Sequence, residues 1–408
     1  MTNPTTGDNL ARLRRAAKLT QEQLAERAAL SVETVRKLEQ NKRGSARLET
    51  LHTFARALGV PTTALLGDTS EAAARREPDH LPLSLAEIRR TLTPARSLAG
   101  VARVEPDTPP PTVDAARARL RRADAAYHRG DYAAALSALP GLLDDTRRTA
   151  EAEGTASAHA TLARVSYLTA ELLIQMRAGD LAYAAVASAL DAASAAGDPV
   201  LGASAVKGSS WLLLRQGRLV EAEQVAISTA DQIEPRMRRA DPAELAVWGW
   251  LLLAGAAAAA RDNRPDDATA LLDSATAAAA QLADRPVAGG HLAVLGGFRA
   301  ARVDMMRVEA AAVSGDPGRV LQLAERVPVG QTTATSWRRH RLDVAWAHTN
   351  RRQYADATAV LTELSHQAPA WLRHQRYARD IVQTIDGGRR RAMTDDLAAL
   401  ADLVGYTH

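Results

Sequence analysis

Residues Gln21 to Gln40 read QEQLAERAALSVETVRKLEQ. Two short amphipathic segments meet within this stretch at Ala28–Ser31. Thr20 stands as the N-cap of the first, Gln21 to Ala28, and Ser31 as the N-cap of the second, Val32 to Gln40. A hydroxyl at that position accepts one of the amide protons that a helix start leaves unpaired. Working outward, Leu10 and Leu13 start a preceding helix that ends near Lys18. Beyond the polar stretch Asn41–Ala46, the residues Leu48, Leu51, Phe54/Ala55 and Leu58 form the stripe of a further helix, Leu48 to Leu58, stopped at Gly59. Pro61 opens a last turn through Leu65 and Leu66. Residues 8–66 thus read as a compact set of five short helices.

The segment resembles the helix-turn-helix of the Xre/Cro family of bacterial and phage regulators, a likeness that implies Leu24, Leu30, Val35 and Leu38 hold the second and third helices together and that Ala25 sits where they cross. Leu19 to Ala25 reads LTQEQLA, a frequent opening of that family's second helix. Arg14 and Glu39 fall where the family pairs an arginine on its first helix with a glutamate ending its third. LETLHTFARALGVPTTALL, Leu48–Leu66, is similar to its fourth and fifth helices. One position departs: Ala29 replaces the glycine of the turn, where the backbone tends towards positive φ, at a cost of about 1 kcal/mol.

The resemblance implies a lambda-repressor-like head on a double-stranded DNA operator. A rigid two-helix corner lays its second helix into the major groove. In that family the first turns of the third helix face base edges, here Val32, Glu33, Arg36 and Lys37. Arg36 suits a bidentate contact to guanine, Glu33 accepts from cytosine, and Val32 meets a thymine methyl. Gln21, Thr34, Asn41, Lys42 and Arg43 are the expected phosphate contacts, which set register and salt dependence.

Charge points the same way. The chain of 408 residues has a net charge of +4. Residues 1–70 carry eleven Lys and Arg against seven Asp and Glu, so the whole excess lies there. A small basic segment beside a neutral body is the expected footprint of a polyanion partner on the first alone.

The body reads as all-α. Alanine fills 87 positions, and only two phenylalanines are present; alanine is the strongest helix former. Residues 68–111 form a proline-rich linker. Pro78, Pro82, Pro94, Pro106 and Pro109–Pro111 interrupt it, and Ser84 with Glu87 cap one short helix before Ile88 and Leu92. From residue 112 to 408, breaks of one kind recur: AAYHRGDYAAAL (Ala125–Leu136), QMRAGDLAYAAVASAL (Gln175–Leu190), LLRQGRLVEAEQV (Leu213–Val225), ARDNRPDDATALL (Ala260–Leu272), AVSGDPGRVLQLA (Ala312–Ala324) and HTNRRQYADATAVL (His348–Leu361). Each ends one helix and starts the next within two or three positions. The turns recur every forty to fifty residues or so, longer than a minimal hairpin repeat of about 34. Six hairpins and a closing pair, Trp371–Ile385 and Thr394–Val404, stack into an α-solenoid, because single hairpins cannot bury their own apolar faces.

An Xre-type head followed by tetratricopeptide-like hairpins resembles regulators that sense a small intracellular effector, a peptide or small molecule, in the concave groove. The chain's five asparagines, Asn3, Asn9, Asn41, Asn263 and Asn350, argue against the asparagine ladder with which peptide-sensing members clamp a backbone. First helices of the hairpins line such a groove. Tyr167, Glu171 and Gln175 share one stripe, as do Lys207 and Trp211. Trp248, Arg299, Trp337 and Arg341 complete the candidate effector contacts. A homodimer is expected, with two heads about 34 Å apart on a palindromic site. The competing reading makes the solenoid a docking scaffold controlled by a protein partner of antitoxin or phage type.

The sequence contains no cysteine, which excludes disulfides and thiolate–zinc sites. No GxxxxGK, HExxH or GxSxG is present, so the expectation is a non-enzyme with neither metal nor cofactor. No basic, apolar leader opens the sequence. The apolar run Leu245–Ala260 reads as too short to span a bilayer. A soluble, cytoplasmic protein without a membrane partner is expected.

Overall fold

The structure is a computed structural model that describes residues 5–40, 48–65, 83–94, 96–97, 100–101, 108–237, 239–283, 285–287, 295, 297–388 and 393–406. Asn41, Lys42, Arg43 and Leu66 lie outside the described residues. The head contains α1 (Thr6–Ala16), α2 (Gln21–Arg27), α3 (Val32–Glu39) and α4 (Leu48–Leu58), followed by a 3-10 turn, Thr62–Leu65. Helix α1 starts one turn before Leu10 because Thr5 and Asp8 cap each other reciprocally. Thr20 and Gln23 do the same for α2, and Ser31 accepts from the Thr34 amide at the start of α3. Leu10, Leu24, Ala25, Val35, Leu38, Leu51, Phe54 and Leu65 form a core belonging to the head alone.

Among the linker residues, α5 (Leu83–Leu92) buries Leu85 and Ile88 in the core of the body, not of the head. Arg89 pairs with Asp180 at 2.9 Å, and Arg147 donates to the Thr91 carbonyl. Two-residue strands, β1 (Arg96–Ser97) and β2 (Gly100–Val101), pair antiparallel, a ribbon too small to change the all-helical class.

Among the described residues six hairpins follow: α6 (Val113–Arg129) with α7 (Tyr132–Glu153), α8 (Ala156–Gln175) with α9 (Gly179–Ala196), α10 (Pro199–Arg215) with α11 (Leu219–Gln232), α12 (Pro242–Arg261) with α13 (Pro265–Leu282), α14 (Ala300–Val313) with α15 (Pro317–Ala324), and α16 (Ala334–Asn350) with α17 (Tyr354–Gln367). Their turns fall on the six breaks read from the sequence. The closing pair differs. Its first member is split into α18 (Pro369–Arg373) and α19 (Arg376–Gly388) at His374–Gln375, and α20 (Asp395–Leu403) completes it.

The break has a physical counterpart, because these last helices close the solenoid on itself. Arg338 of α16 donates to the carbonyls of His128 and Arg129, both at 3.2 Å. Gln375 reaches Gln175 at 3.5 Å, and the rings of Tyr132 and His374 lie 5.9 Å apart. Gly130, at φ +86°, ends α6, and a β-carbon there would press on Arg338, Ala368 and Trp371. First and last hairpins share one hydrophobic core.

Helix α12 is apolar on every side. It is long and apolar enough to cross a membrane, so its length does not argue against a span. Its burial does: 83% of its apolar window lies inside the protein, as expected of a core helix. Gly249 on this helix gives way to the Phe298 ring, which occupies the space a β-carbon would need.

Candidate nucleic-acid interface

Arg14 fixes the head's geometry. Its Nε and Nη2 donate to the two oxygens of Glu39 at 2.7 and 2.9 Å, and its Nη1 donates to the Leu19 carbonyl. Gln21 Nε2 adds a third bond to Glu39 at 2.7 Å. Burial works to raise the Glu39 carboxyl, but the bonds from Arg14 and Gln21 outweigh it and hold the group below its usual value. This lock ties α1 and the start of α2 to the end of α3. Gln21, expected at phosphate, is therefore engaged within the head through its amide nitrogen.

Turn residue Ala29 has φ +51°, so the departure seen in the sequence carries the backbone strain anticipated for it. Helix α3 then presents Glu33, Arg36 and Lys37 to solvent. Lys37 lies 3.3 Å from Glu33, while Arg36 lies 4.0 Å from both Glu33 and Glu22. Such exposed pairs contribute little and exchange readily for phosphate or base contacts. Val32 is half-buried and packs on the head's core. Thr34 is half-buried and shares a hydroxyl contact with Ser31 at 2.8 Å.

The head docks on the body through α4 and the 3-10 turn, away from these residues. His52 Nδ1 faces the Arg261 carbonyl and its Nε2 the Val313 carbonyl, each at 2.9 Å. The Thr62 hydroxyl donates to the Arg261 carbonyl, the Thr63 amide to Asp262, and Arg56 to the Ser314 carbonyl. The C-terminal ends of α12 and α14 thus hold the head, where unpaired helix carbonyls invite donors.

Residues 7–66 match the helix-turn-helix domain family. The helix-turn-helix domain supports a DNA-binding regulator, and its α3 is the helix that enters the groove in this motif. No curated protein matches the chain.

The effector candidates separate into three places. Tyr167 and Glu171 of α8 meet Lys207 of α10, whose Nζ lies 2.8 Å from the Tyr167 hydroxyl and 3.2 Å from Glu171. Lys207 also stands 6.0 Å from the Trp211 ring centre and 5.0 Å from that of Trp250. Gln175, at the end of the same stripe, is buried against Gln375. Trp248 and Trp250 both belong to the core between hairpins, and Lys207 lies over the second of them. Two residues along a helix is a rotation of about 200°, so Trp250 and not Trp248 meets Lys207. Arg299 donates to the carbonyls of Phe298 and Arg285 and fastens the start of α14. Trp337 and Arg341 line a separate cleft of about 540 Å³ with Val329, Glu363 and Gln367.

Sequence reading missed Arg215, Trp250, Arg261, Arg302, Glu309, Arg339 and Asp343. Arg302 lies over Trp250 at 5.2 Å, Arg261 bonds Glu309 at 2.5 Å, and Arg339 pairs with Asp343 at 3.6 Å. Lys207 of α10 and Arg302 of α14 both lie over the Trp250 ring of α12, so the first helices of three successive hairpins face one another there. One available signal was spacing: Arg215 continues the four-residue stripe of Lys207 and Trp211.

Proposed function

We propose that the chain is a sequence-specific transcriptional regulator that acts as a homodimer on DNA. Its tetratricopeptide-like body binds a small effector and supplies the dimer contacts. The observation that carries this reading is the exposed triad Glu33, Arg36 and Lys37 on α3, held in place by the Arg14–Glu39 lock and left uncovered by the docked body.

Docking of the helix-turn-helix domain on the ends of α12 and α14 gives an effector a way to act at a distance. Arg261 takes part in both sites: its side chain bonds Glu309 inside the ring, and its carbonyl faces His52 of the head. An effector that prefers one arrangement of this junction shifts the population of head positions. The protein is read as a cytoplasmic non-enzyme.

The test is binding of the purified chain to the duplex upstream of its own gene, across a salt series. Saturable binding whose affinity falls steeply with salt is expected. Arg36→Ala should reduce discrimination against a mismatched site by about 1–3 kcal/mol with unchanged folding. Equal affinity for every duplex would contradict the proposal.

A further inference from the structure

The Arg36 guanidinium stands between two carboxylates carried by different helices. Its Nη2 lies 4.0 Å from Glu22 Oε1 in the first turn of α2, and its Nη1 lies 4.0 Å from Glu33 Oε2 on α3. Glu33 turns its other oxygen to Lys37 at 3.3 Å. All four side chains are exposed. Two carboxylates therefore offset two cations on the face that α2 and α3 present together.

Glu22 is the member of this set that does not sit on α3. Its carboxylate is tied to the backbone: its own amide and the Thr20 hydroxyl bond it, and with the charges of Arg36 and Arg14 they hold it below the usual 4.5. An anchored carboxylate is a fixed point beside a longer arginine. Exposed pairs of this kind add little to stability, so folding gives no reason for a negative charge here. In a helix-turn-helix the helix preceding the one in the groove crosses the phosphate backbone, which repels a carboxylate. A guanidinium has five N–H donors, and a bidentate contact to guanine occupies one edge of it. Arg36 can thus read a base with one edge and keep Glu22 near another. An Arg36 that turns to phosphate instead leaves Glu22 facing a polyanion without its cation.

We infer that Glu22 is a positioning residue for base reading: it steers Arg36 towards the bases and makes indiscriminate binding to phosphate costly. This rests on the regulator reading and adds a source of specificity outside α3.

The test compares the full chain with Glu22→Gln, Glu22→Asp, Arg36→Ala and the double variant Glu22→Gln/Arg36→Ala. Three duplexes are titrated over a salt series: the one the parent selects, the same duplex changed at the position that Arg36→Ala relaxes, and a scrambled one. Melting temperature checks that each variant is folded. Glu22→Gln should bind the scrambled duplex about threefold tighter, the scale of one exposed charge pair, with a log–log salt slope steeper by roughly 1. Its preference for the selected over the changed duplex should fall about threefold. Glu22→Asp, which keeps the charge, should bind the scrambled duplex as weakly as the parent. Without Arg36, the Glu22→Gln change should leave the remaining discrimination where it was, because the two side chains act through one contact. The inference is overturned if Glu22→Gln discriminates like the parent, if it binds every duplex more weakly, if Glu22→Asp binds scrambled duplex as tightly as Glu22→Gln, or if the lost discrimination appears equally without Arg36. Those results leave the regulator reading standing; a parent that selects no duplex removes that reading and this inference with it.

Discussion

Arg14 and Glu39 face each other through two parallel hydrogen bonds, 2.7 and 2.9 Å long, and join the first helix of the head to the last turn of α3. Both side chains are nearly sealed from solvent, at 11% and 6% exposure. Removing either partner strands the other in a poorly solvated place. Arg14→Met should cost the head about 2 kcal/mol, the scale of hydrogen bonds to charged groups, as read by denaturant unfolding monitored in α1–α3. The pH dependence has a definite sign. Because the carboxyl of Glu39 is lower in the folded head than its ordinary 4.5, its contribution is present above that value and is lost as pH falls beneath it. Glu39→Gln should flatten this acid limb; an unchanged limb would show that the pair does not hold the head.

Ala29 offers an opposite test. At φ +51° it occupies backbone space that suits glycine. Ala29→Gly relieves that strain but frees the unfolded chain, so the net gain is about 0.5 kcal/mol. Slower amide exchange in α2 and α3 would register it. A clear destabilisation would mean that the Ala29 methyl contributes packing that outweighs the strain.

The local code of the head was legible in the sequence because each element carries its own signal: Thr20 and Ser31 as caps, Ala25 at the crossing, Leu24 and Val35 as core. Hairpin turns were legible for the same reason, through local stops such as Gly130 and Gly217, both at positive φ. Ring closure was not, since Arg338 meets residues some two hundred positions earlier and nothing near it in sequence marks the partner. Docking of His52 on Arg261 and Val313 was hidden likewise. Periodicity failed for α12, whose faces are all apolar, so the sequence could not show which of its two buried tryptophans, Trp248 or Trp250, meets Lys207.

His52 makes the head–body contact sensitive to pH. Burial lowers its pKa from the ordinary 6.5, aided by Arg56 and Arg261 and opposed by the two carbonyls it faces. A docked imidazole that resists protonation favours docking fully above about 6.5 and yields stability as pH falls below it. Amides of α4 and of the Arg261–Asn263 turn should therefore exchange faster at about pH 5.5 than at about pH 7.5, after correction for intrinsic rates. His52→Gln should remove most of that difference. Equal protection of the parent at both values would contradict a role for this histidine in docking.

The most direct measurement of the central claim is selection of duplexes from a random pool by the full chain and by Arg36→Ala. Enrichment of a twofold-symmetric sequence is predicted, with half-sites about one helical turn apart. Arg36→Ala should relax preference at one position in each half-site and leave the others in place. A pool that emerges without any enriched sequence, from a folded chain at moderate salt, would contradict the account.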